Sequence, residues 1–223
     1  GIAGRVVRTT DGGLSWVQEA RPTTRSLYSV SMGSNVAVLT GEEGTIFIST
    51  DEGVTWSQRG AGTASVLFGV SVSGTTAVGV GGRAPVVMSP NSGQGWGLTV
   101  IGDPQTLFFY GTSFASTTTG WAVGSYQPTG SIIIKSTQSG FVWTLQSAPT
   151  TNILMGVSFA SIDTGTAVGF NGTIVHTTNG GADWTLQQSN TIRSLNAVSF
   201  VDPRTGIAVG DSGTILRTTT GGL

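Results

Sequence analysis

The sequence predicts an all-β protein, a five-bladed β-propeller of four-stranded repeats, on three observations. Five tryptophans, Trp16, Trp56, Trp96, Trp143 and Trp184, recur at separations of 40, 40, 47 and 41 residues. Glycine supplies 35 of 223 residues, while charged residues are only 9%, against a usual glycine share of about 7%. Each repeat divides into four short apolar runs with period-two alternation, separated by Gly, Asn, Asp or Pro. Four antiparallel strands in about forty residues fit one propeller blade. A parallel β-helix needs much shorter coils, and a sandwich has no reason to repeat so regularly.

The strands can be placed in order, as A, B, C and D. Strand A is the phrase Leu27-Tyr28-Ser29-Val30-Ser31, repeated from Leu67, Leu154 and Leu195, with a fifth copy at Phe109 to Phe114. Five A strands give five blades. Strand B is a Gly-x-Ala-Val-Gly run, clearest at Gly120 to Gly124, Gly165 to Gly169 and Gly206 to Gly210. A Gly-x-x-Gly-x-Ile turn leads into strand C, as in Gly41 to Ile46, Gly169 to Ile174 and Gly210 to Ile215. Strand D holds the recurring Trp.

The two ends complicate the ring. Residues 1–18 read as a partial C–D unit, Gly4 to Arg8 and Leu14 to Gln18. Residues 195–218 read as an A–C unit, Leu195 to Phe200, Gly206 to Val209 and Thr214 to Arg217. The expectation is one domain over 1–223, its last blade completed by Leu14 to Gln18 so that no sheet edge stays open. Strand C is then present twice, and one copy lies outside the ring, exchanges with a neighbouring chain, or belongs to a larger parent protein. A sixth copy of the turn phrase begins at Thr218 and runs to Leu223.

That phrase is Thr9-Thr10-Asp11-Gly12-Gly13-Leu14-Ser15-Trp16 in its first copy and Ser49-Thr50-Asp51-Glu52-Gly53-Val54-Thr55-Trp56 in its second. Copies three and five carry Asn91 and Asn179 at the Asp position, and copy four carries Gln138. The predicted role is structural. Ser/Thr hydroxyls and Asp or Asn side chains bond nearby backbone N–H groups and stiffen the C–D turn; Trp packs between neighbouring blades.

The phrase resembles the Asp box, or BNR repeat, of sialidases and many other propellers. Together with Gly-x-Ala-Val-Gly and Leu-x-x-Val-Ser-Phe, the pattern is most similar to the photosystem II stability and assembly factor family of chloroplasts and photosynthetic bacteria. The resemblance runs over nearly the whole chain. It implies a non-enzymatic propeller scaffold that assists assembly of a membrane complex on the exported side.

Charge and composition exclude several classes. A formal net charge of −1 argues against nucleic acid as a partner, since phosphate binding needs a basic face. The absence of Cys removes disulfides and thiolate chemistry, and a lone His makes a transition-metal site improbable. No metal and no cofactor are expected, and no apolar run approaches the ~18 residues of a membrane helix. The single Lys and the Gly/Ser/Thr-rich surface point to an extracytoplasmic setting: periplasm, thylakoid lumen or secreted.

Strand direction sorts the loops. A–B turns and C–D boxes share one face; B–C turns and D–A links share the other, here called face X. Face X collects Arg21, Arg25, Arg59, Arg83, Tyr126 and Arg193, together with Glu42 and Glu43. An Arg-bearing rim suits carboxylates on a protein partner, and these six residues are the expected partner-binding set. His176 shares its strand C slot with Arg8, Ile48, Met88, Lys135 and Arg217, and is read as structural. Trp121 is aligned with Val36, Thr76, Thr166 and Ile207 and is expected between blades. Tyr28, Tyr110 and Tyr126 have no Glu partner by repeat position, so no catalytic residues are assigned. Two alternatives stand beside the protein-binding scaffold: a carbohydrate-binding propeller, lectin-like or sialidase-like, and a structural component of a virion or extracellular assembly built from neighbouring copies of the chain.

Overall fold

In the computed structural model, which describes every residue except Asn35, Ala84, Pro104 and Leu223, the alternating runs form strands and their glycine-rich separators form turns. Blade 1 comprises β3 (Leu27–Met32), β4 (Ala37–Gly41), β5 (Ile46–Ser49) and β6 (Ser57–Arg59). It follows β1 (Val7–Arg8) and β2 (Val17–Gln18). Blade 2 comprises β7 (Leu67–Ser73), β8 (Thr76–Gly81), β9 (Pro85–Ser89) and β10 (Gly97–Val100). Blade 3 comprises β11 (Leu107–Phe114), β12 (Gly120–Tyr126), β13 (Gly130–Ser136) and β14 (Thr144–Gln146). Blade 4 comprises β15 (Leu154–Phe159), β16 (Gly165–Gly169), β17 (Ile174–Thr177) and β18 (Thr185–Gln187). Blade 5 comprises β19 (Leu195–Phe200), β20 (Gly206–Gly210) and β21 (Ile215–Thr218). Every sheet is an antiparallel meander in sequence order, and the A strands of successive blades pack side by side on the inside of the propeller.

The expected ring closure does not occur. Among the described residues β21 pairs only with β20, and β1 and β2 pair only with each other, as a separate two-stranded sheet. The amino-terminal hairpin instead sits before blade 1, where the C–D pair of a preceding blade would stand. The Gly1 ammonium donates to the Leu27 carbonyl at 2.8 Å, and Val6 packs against Leu27, Leu39 and Phe47. Both strands of the hairpin are also shorter than expected, two residues each. Local apolar contact with blade 1 holds the hairpin there, whereas pairing with β21 would have to bring both ends of the chain together. The last residue of the sixth turn phrase, Leu223, lies outside the described residues.

Hydrogen bonds from one inner strand to the next tie the blades. Val70 and Val72 N–H donate to Ser29 and Ser31 Oγ, Phe114 N–H to Ser71, Phe159 N–H to Ser113 and Phe200 N–H to Ser158, at 2.9–3.2 Å. The recurring Ser of the strand A phrase is thus an interblade acceptor. Apolar clusters fill the same interfaces. Trp96 packs into the cluster between blades 1 and 2, Trp143 between blades 2 and 3, and Trp184 between blades 3 and 4. Trp56 lies between blade 1 and the amino-terminal hairpin. Trp16 departs from the expected packing: among the described residues it is 61% exposed, with no neighbouring blade packed on it.

The turn boxes take the predicted form. Asp51 accepts from Ser49 Oγ at 2.7 Å, from Thr55 N–H at 2.9 Å and from Thr55 Oγ1 at 2.5 Å, and Trp56 Nε1 donates to the Gly53 carbonyl. Asp11 repeats these bonds with Thr9 and Ser15. Asn91 accepts from Ser89 Oγ and Gly95 N–H, and Asn179 from Thr177 Oγ1 and Asp183 N–H. The Thr55 hydroxyl, followed by the Thr55 N–H and Ser49, holds the Asp51 carboxyl down at about 2.

A pKa lowered in the folded state contributes stability above the unfolded value, near 4, that is lost as pH falls through the folded value. Thermal melts at pH 6, 4, 3 and 2 should therefore show a loss of melting temperature below pH 4 that Asp51→Asn reduces. At pH 6 that variant should melt close to the parent, because Asn91 and Asn179 make the same acceptor bonds. A parallel loss in parent and variant would remove Asp51 as a source of acid sensitivity.

Candidate functional site: the B–C turn face

Face X is assembled by the Gly-x-x-Gly turns. Gly41 leaves β4 and Gly44 opens toward β5 through a left-handed turn, with φ +51° at Glu43 and +65° at Gly44. Glu42 N–H donates to the Ser26 carbonyl and Gly44 N–H to the Ser65 carbonyl. The first bond ties the turn to the start of strand A in its own blade, the second to the link leading into the next. The same φ sign change recurs at Asn171 and Ser212. B–C turns and D–A links therefore share one face, as strand direction predicts.

A feature that the sequence reading passed over lies on the inner rim of this face. Strand A carries a one-residue register shift in every blade, between Leu27 and Ser29, Leu67 and Gly69, Phe109 and Gly111, Leu154 and Gly156, and Leu195 and Ala197. The bulged residues are Tyr28, Phe68, Tyr110, Met155 and Asn196. A bulge leaves its residue outside the ladder and re-aims the side chain. The first three form an aromatic row, with ring centroids 5.7 Å apart for Tyr28–Phe68 and 5.5 Å for Phe68–Tyr110. The signal was present in the Leu-aromatic pairs Leu27-Tyr28 and Leu67-Phe68. It had no meaning until the bulge placed the second residue off the ladder.

The charged residues of the predicted set divide. Arg25 is neutralised by Glu43 at 2.5 Å. Arg59 closes β6 and donates to the Gln58 carbonyl at 2.9 Å. Arg83 is exposed in the B–C turn of blade 2 at φ +68°. It directly follows Gly82, which bridges to Phe108 and lies against the rings of Phe68 and Phe108. Arg21 and Arg193 are exposed in D–A links, and Tyr126 is exposed at the end of β12. Among the described residues, Arg21, Arg83 and Arg193 have no acidic partner within salt-bridge distance.

One expectation about the tyrosines is corrected. Tyr28 does have a Glu partner: its hydroxyl donates to Glu42 Oε1 at 3.2 Å, while Glu42 Oε2 accepts from Ser26 N–H at 2.8 Å. Tyr28 is the bulged residue, so counting along the repeat misplaced its neighbour. Burial and then the Glu42 charge push the phenol pKa up, which keeps it protonated and weakens it as a nucleophile. In blade 5 the same slots hold Asn196 and Asp211, bonded at 2.8 Å.

The remaining candidates are structural. His176 is buried, its Nδ1 at 2.9 Å from Thr166 Oγ1, and desolvation lowers its pKa. No group of three or more His, Asp or Glu lies together among the described residues. Trp121 is buried between blades as expected, though its slot is that of Val38, Val78, Thr166 and Ile207 rather than of Val36 and Thr76. It stacks on Phe159 of blade 4 at 3.4 Å and 4°, and both its Nε1 and Lys135 Nζ donate to the Gly180 carbonyl.

Comparison with known proteins agrees with this architecture. The family model described as photosynthesis system II assembly factor YCF48 matches residues 135–223. No match emerged among curated protein sequences. Among solved structures, YCF48 from Cyanidioschyzon merolae superposes with a TM-score of 0.74 at 18% identity, over 99% of this chain and 77% of its own. YCF48 bound to D1 peptide gives 0.67 at 18% identity, over 88% of this chain, which spans 64% of that protein's length. An ancestral GH74 enzyme gives 0.75 at 13% identity, over 97% of this chain and 34% of its own. At these identities the structural likeness concerns the fold. The chain is a five-bladed Asp-box propeller similar, through its carboxy-terminal repeats, to the photosystem II assembly factor family.

Proposed function

We propose that the chain is a non-enzymatic, extracytoplasmic protein-binding propeller whose face X docks an acidic segment of a membrane-complex subunit. The observation that carries this reading is Arg83 beside the aromatic row, with Arg193 and Arg21 on the same face, all three without an acidic partner among the described residues. An apolar residue of the segment lies on the Phe68–Tyr110 rings, and neighbouring carboxylates take the guanidiniums in bidentate pairs. The similarity to YCF48, one structure of which holds a D1 peptide, supports a protein partner of this kind. Tyr28 and Glu42 act as a rim that fixes the first bulge, not as reacting groups.

The test is titration of a fluorescent ten-residue peptide carrying three carboxylates and one Phe, against the same peptide with the carboxylates amidated. The acidic peptide should bind at least tenfold tighter at 50 mM salt, a difference of about 1.4 kcal/mol. The margin should shrink at 300 mM as charges are screened. Arg83→Glu with Arg193→Glu should abolish the margin, and Phe68→Ala should weaken both peptides. Equal affinity of the two peptides, or a margin untouched by the double reversal, overturns the reading. A neutral oligosaccharide that competes for the same face would favour the carbohydrate-binding alternative.

A further inference from the structure

The residue that precedes each turn box in strand C faces the next blade, and its chemistry changes from blade to blade. Ile48 and Met88 are apolar and pack into the clusters between blades 1 and 2 and between blades 2 and 3. Lys135 is charged, and its surroundings answer the charge: Nζ donates to the Gly180 carbonyl of the blade 4 box at 2.9 Å and lies over the Trp121 ring. In blade 4 the position is His176, 5% exposed and opposite Thr166 in the ladder. Ile174, two residues back on the same side of β17, packs on Val168, Leu195 and Ala208, which places His176 at the interface with blade 5.

That site suits a neutral imidazole and not a charged one. Among the described residues its side chain makes one hydrogen bond, Nδ1 with Thr166 Oγ1 at 2.9 Å. A hydroxyl either donates or accepts, so it serves the neutral ring, whereas an imidazolium brings two N–H donors and a charge into a buried place. No counter-charge faces the ring. β16, β18, β19, β20 and the turn 218–222 carry no ionisable side chain. Asp163 and Asp183 belong to exposed turns of blade 4, and Asp202 and Arg204 to the exposed A–B turn of blade 5. Arg217 lies opposite Ile207 on the exposed side of β21. Burial is accordingly the cause that lowers the imidazole pKa. The same interface is tied less firmly to the next box. The Gly180 carbonyl accepts from Trp121, Lys135 and Gln146 of blade 3, whereas the matching Gly221 carbonyl accepts, among the described residues, from Gln187 alone.

We propose that His176 is a proton-operated latch between blades 4 and 5: the neutral ring seals the two blades together, and its protonation in mildly acid solution opens that interface while those between blades 1 and 4 hold. The folded interface resists the proton. Its stability is therefore complete above the ordinary histidine value, about 6.5, and is lost as pH falls from there through the lower folded value. The acid loss assigned to Asp51 lies below pH 4, so the two windows are separate. The latch stands beside the turn boxes, on the face opposite the arginines of face X, and does not depend on what that face binds.

The chain holds one histidine, so an NMR titration of its Cε1–H signal reads the site directly. A midpoint below 6.5 is expected; one at or above 6.5 means that the interface accommodates the charge and overturns the proposal. Amide hydrogen exchange at pH 7.5 and 5.5, corrected for the intrinsic rate, locates the response. Protection in β16, β19 and β20 should fall by up to about tenfold for each pH unit below 6.5, the most that one proton supplies, while β8, β9 and β12 hold theirs. His176→Met installs the residue of the blade 2 slot, and His176→Gln keeps a polar group for Thr166. Neither binds a proton, so in both the interface should exchange alike at the two pH values, whatever their melting temperatures. A pH response that persists in either variant, or a loss of protection equal in all blades, also overturns the latch.

Discussion

Replacing Trp121 by Ala should lower the stability of the chain by about 3–5 kcal/mol, the usual range for removing a buried aromatic side chain. For a chain of 223 residues this corresponds to a fall in melting temperature on the order of 10 °C. The size of the effect follows from three losses at one site. The indole ring lies flat on Phe159, and Phe159 in turn meets Trp184 edge-on at 5.8 Å. The deletion opens the centre of the cluster between blades 3 and 4, which also holds Val123, Ile133, Leu154 and Val175. Lys135, placed over the indole at 5.1 Å, loses a cation–π partner.

Trp121→Phe separates these contributions. It keeps a stacking ring and most of the volume, while the Gly180 carbonyl retains the Lys135 ammonium as a donor. Its cost should be about 1–2 kcal/mol. Differential scanning calorimetry of the two variants decides the matter. Similar melts for Ala and Phe would mean that the stack contributes nothing and that the interblade packing argument is wrong at its densest point.

Gly169→Ala should be nearly as damaging, at roughly 3 kcal/mol, beyond the effect of Ala on strand propensity alone. The reason is proximity, not backbone conformation, since Gly169 is extended at φ −169°. A methyl group there would overlap the carbonyl of Ile153 and press on the Leu154 backbone. These lie at the start of the inner strand, beside the bulge, and backbone cannot rotate away as a side chain can. Gly41, Gly81, Gly124 and Gly210 stand in the same slot with the same overlap. Gly60→Ala is the control, since nothing lies within 4 Å of a methyl group placed there. Its melt should match or slightly exceed the parent. Should Gly169→Ala melt with the parent, the close approach of strand B to strand A would not be what requires glycine at this position.

The sequence was most informative where the physics is local. Each turn box spans eight residues and closes on itself, through bonds such as Thr55 N–H to Asp51 and Gly53 N–H to Ser49. The residue types therefore announce the turn without knowledge of the rest of the chain. The period-two runs and their spacing gave the strand order and the five blades for the same reason. The loop sorting that defined face X needed only alternating strand direction, and the paired turns of Glu42 and Gly44 follow it.

Two kinds of information were beyond the sequence. The first is register. One extra residue in strand A moves its side chain off the ladder, which hid the contact of Tyr28 with Glu42 and the row Tyr28–Phe68–Tyr110. Strand pairing is a property of two strands, and alternation along one of them does not reveal a bulge.

The second is closure. Whether β1–β2 joins β21 depends on the summed geometry of five interfaces, because the error at each blade accumulates around the ring. Competing against closure is a contact available to the hairpin at once, Val6 on Leu27, Leu39 and Phe47. Composition and repeats determined the strands, boxes and blade number of this protein. Tertiary structure alone decided that β21 and the amino-terminal hairpin do not pair with each other, since bringing distant segments together depends on the whole chain and forming a turn depends on eight residues.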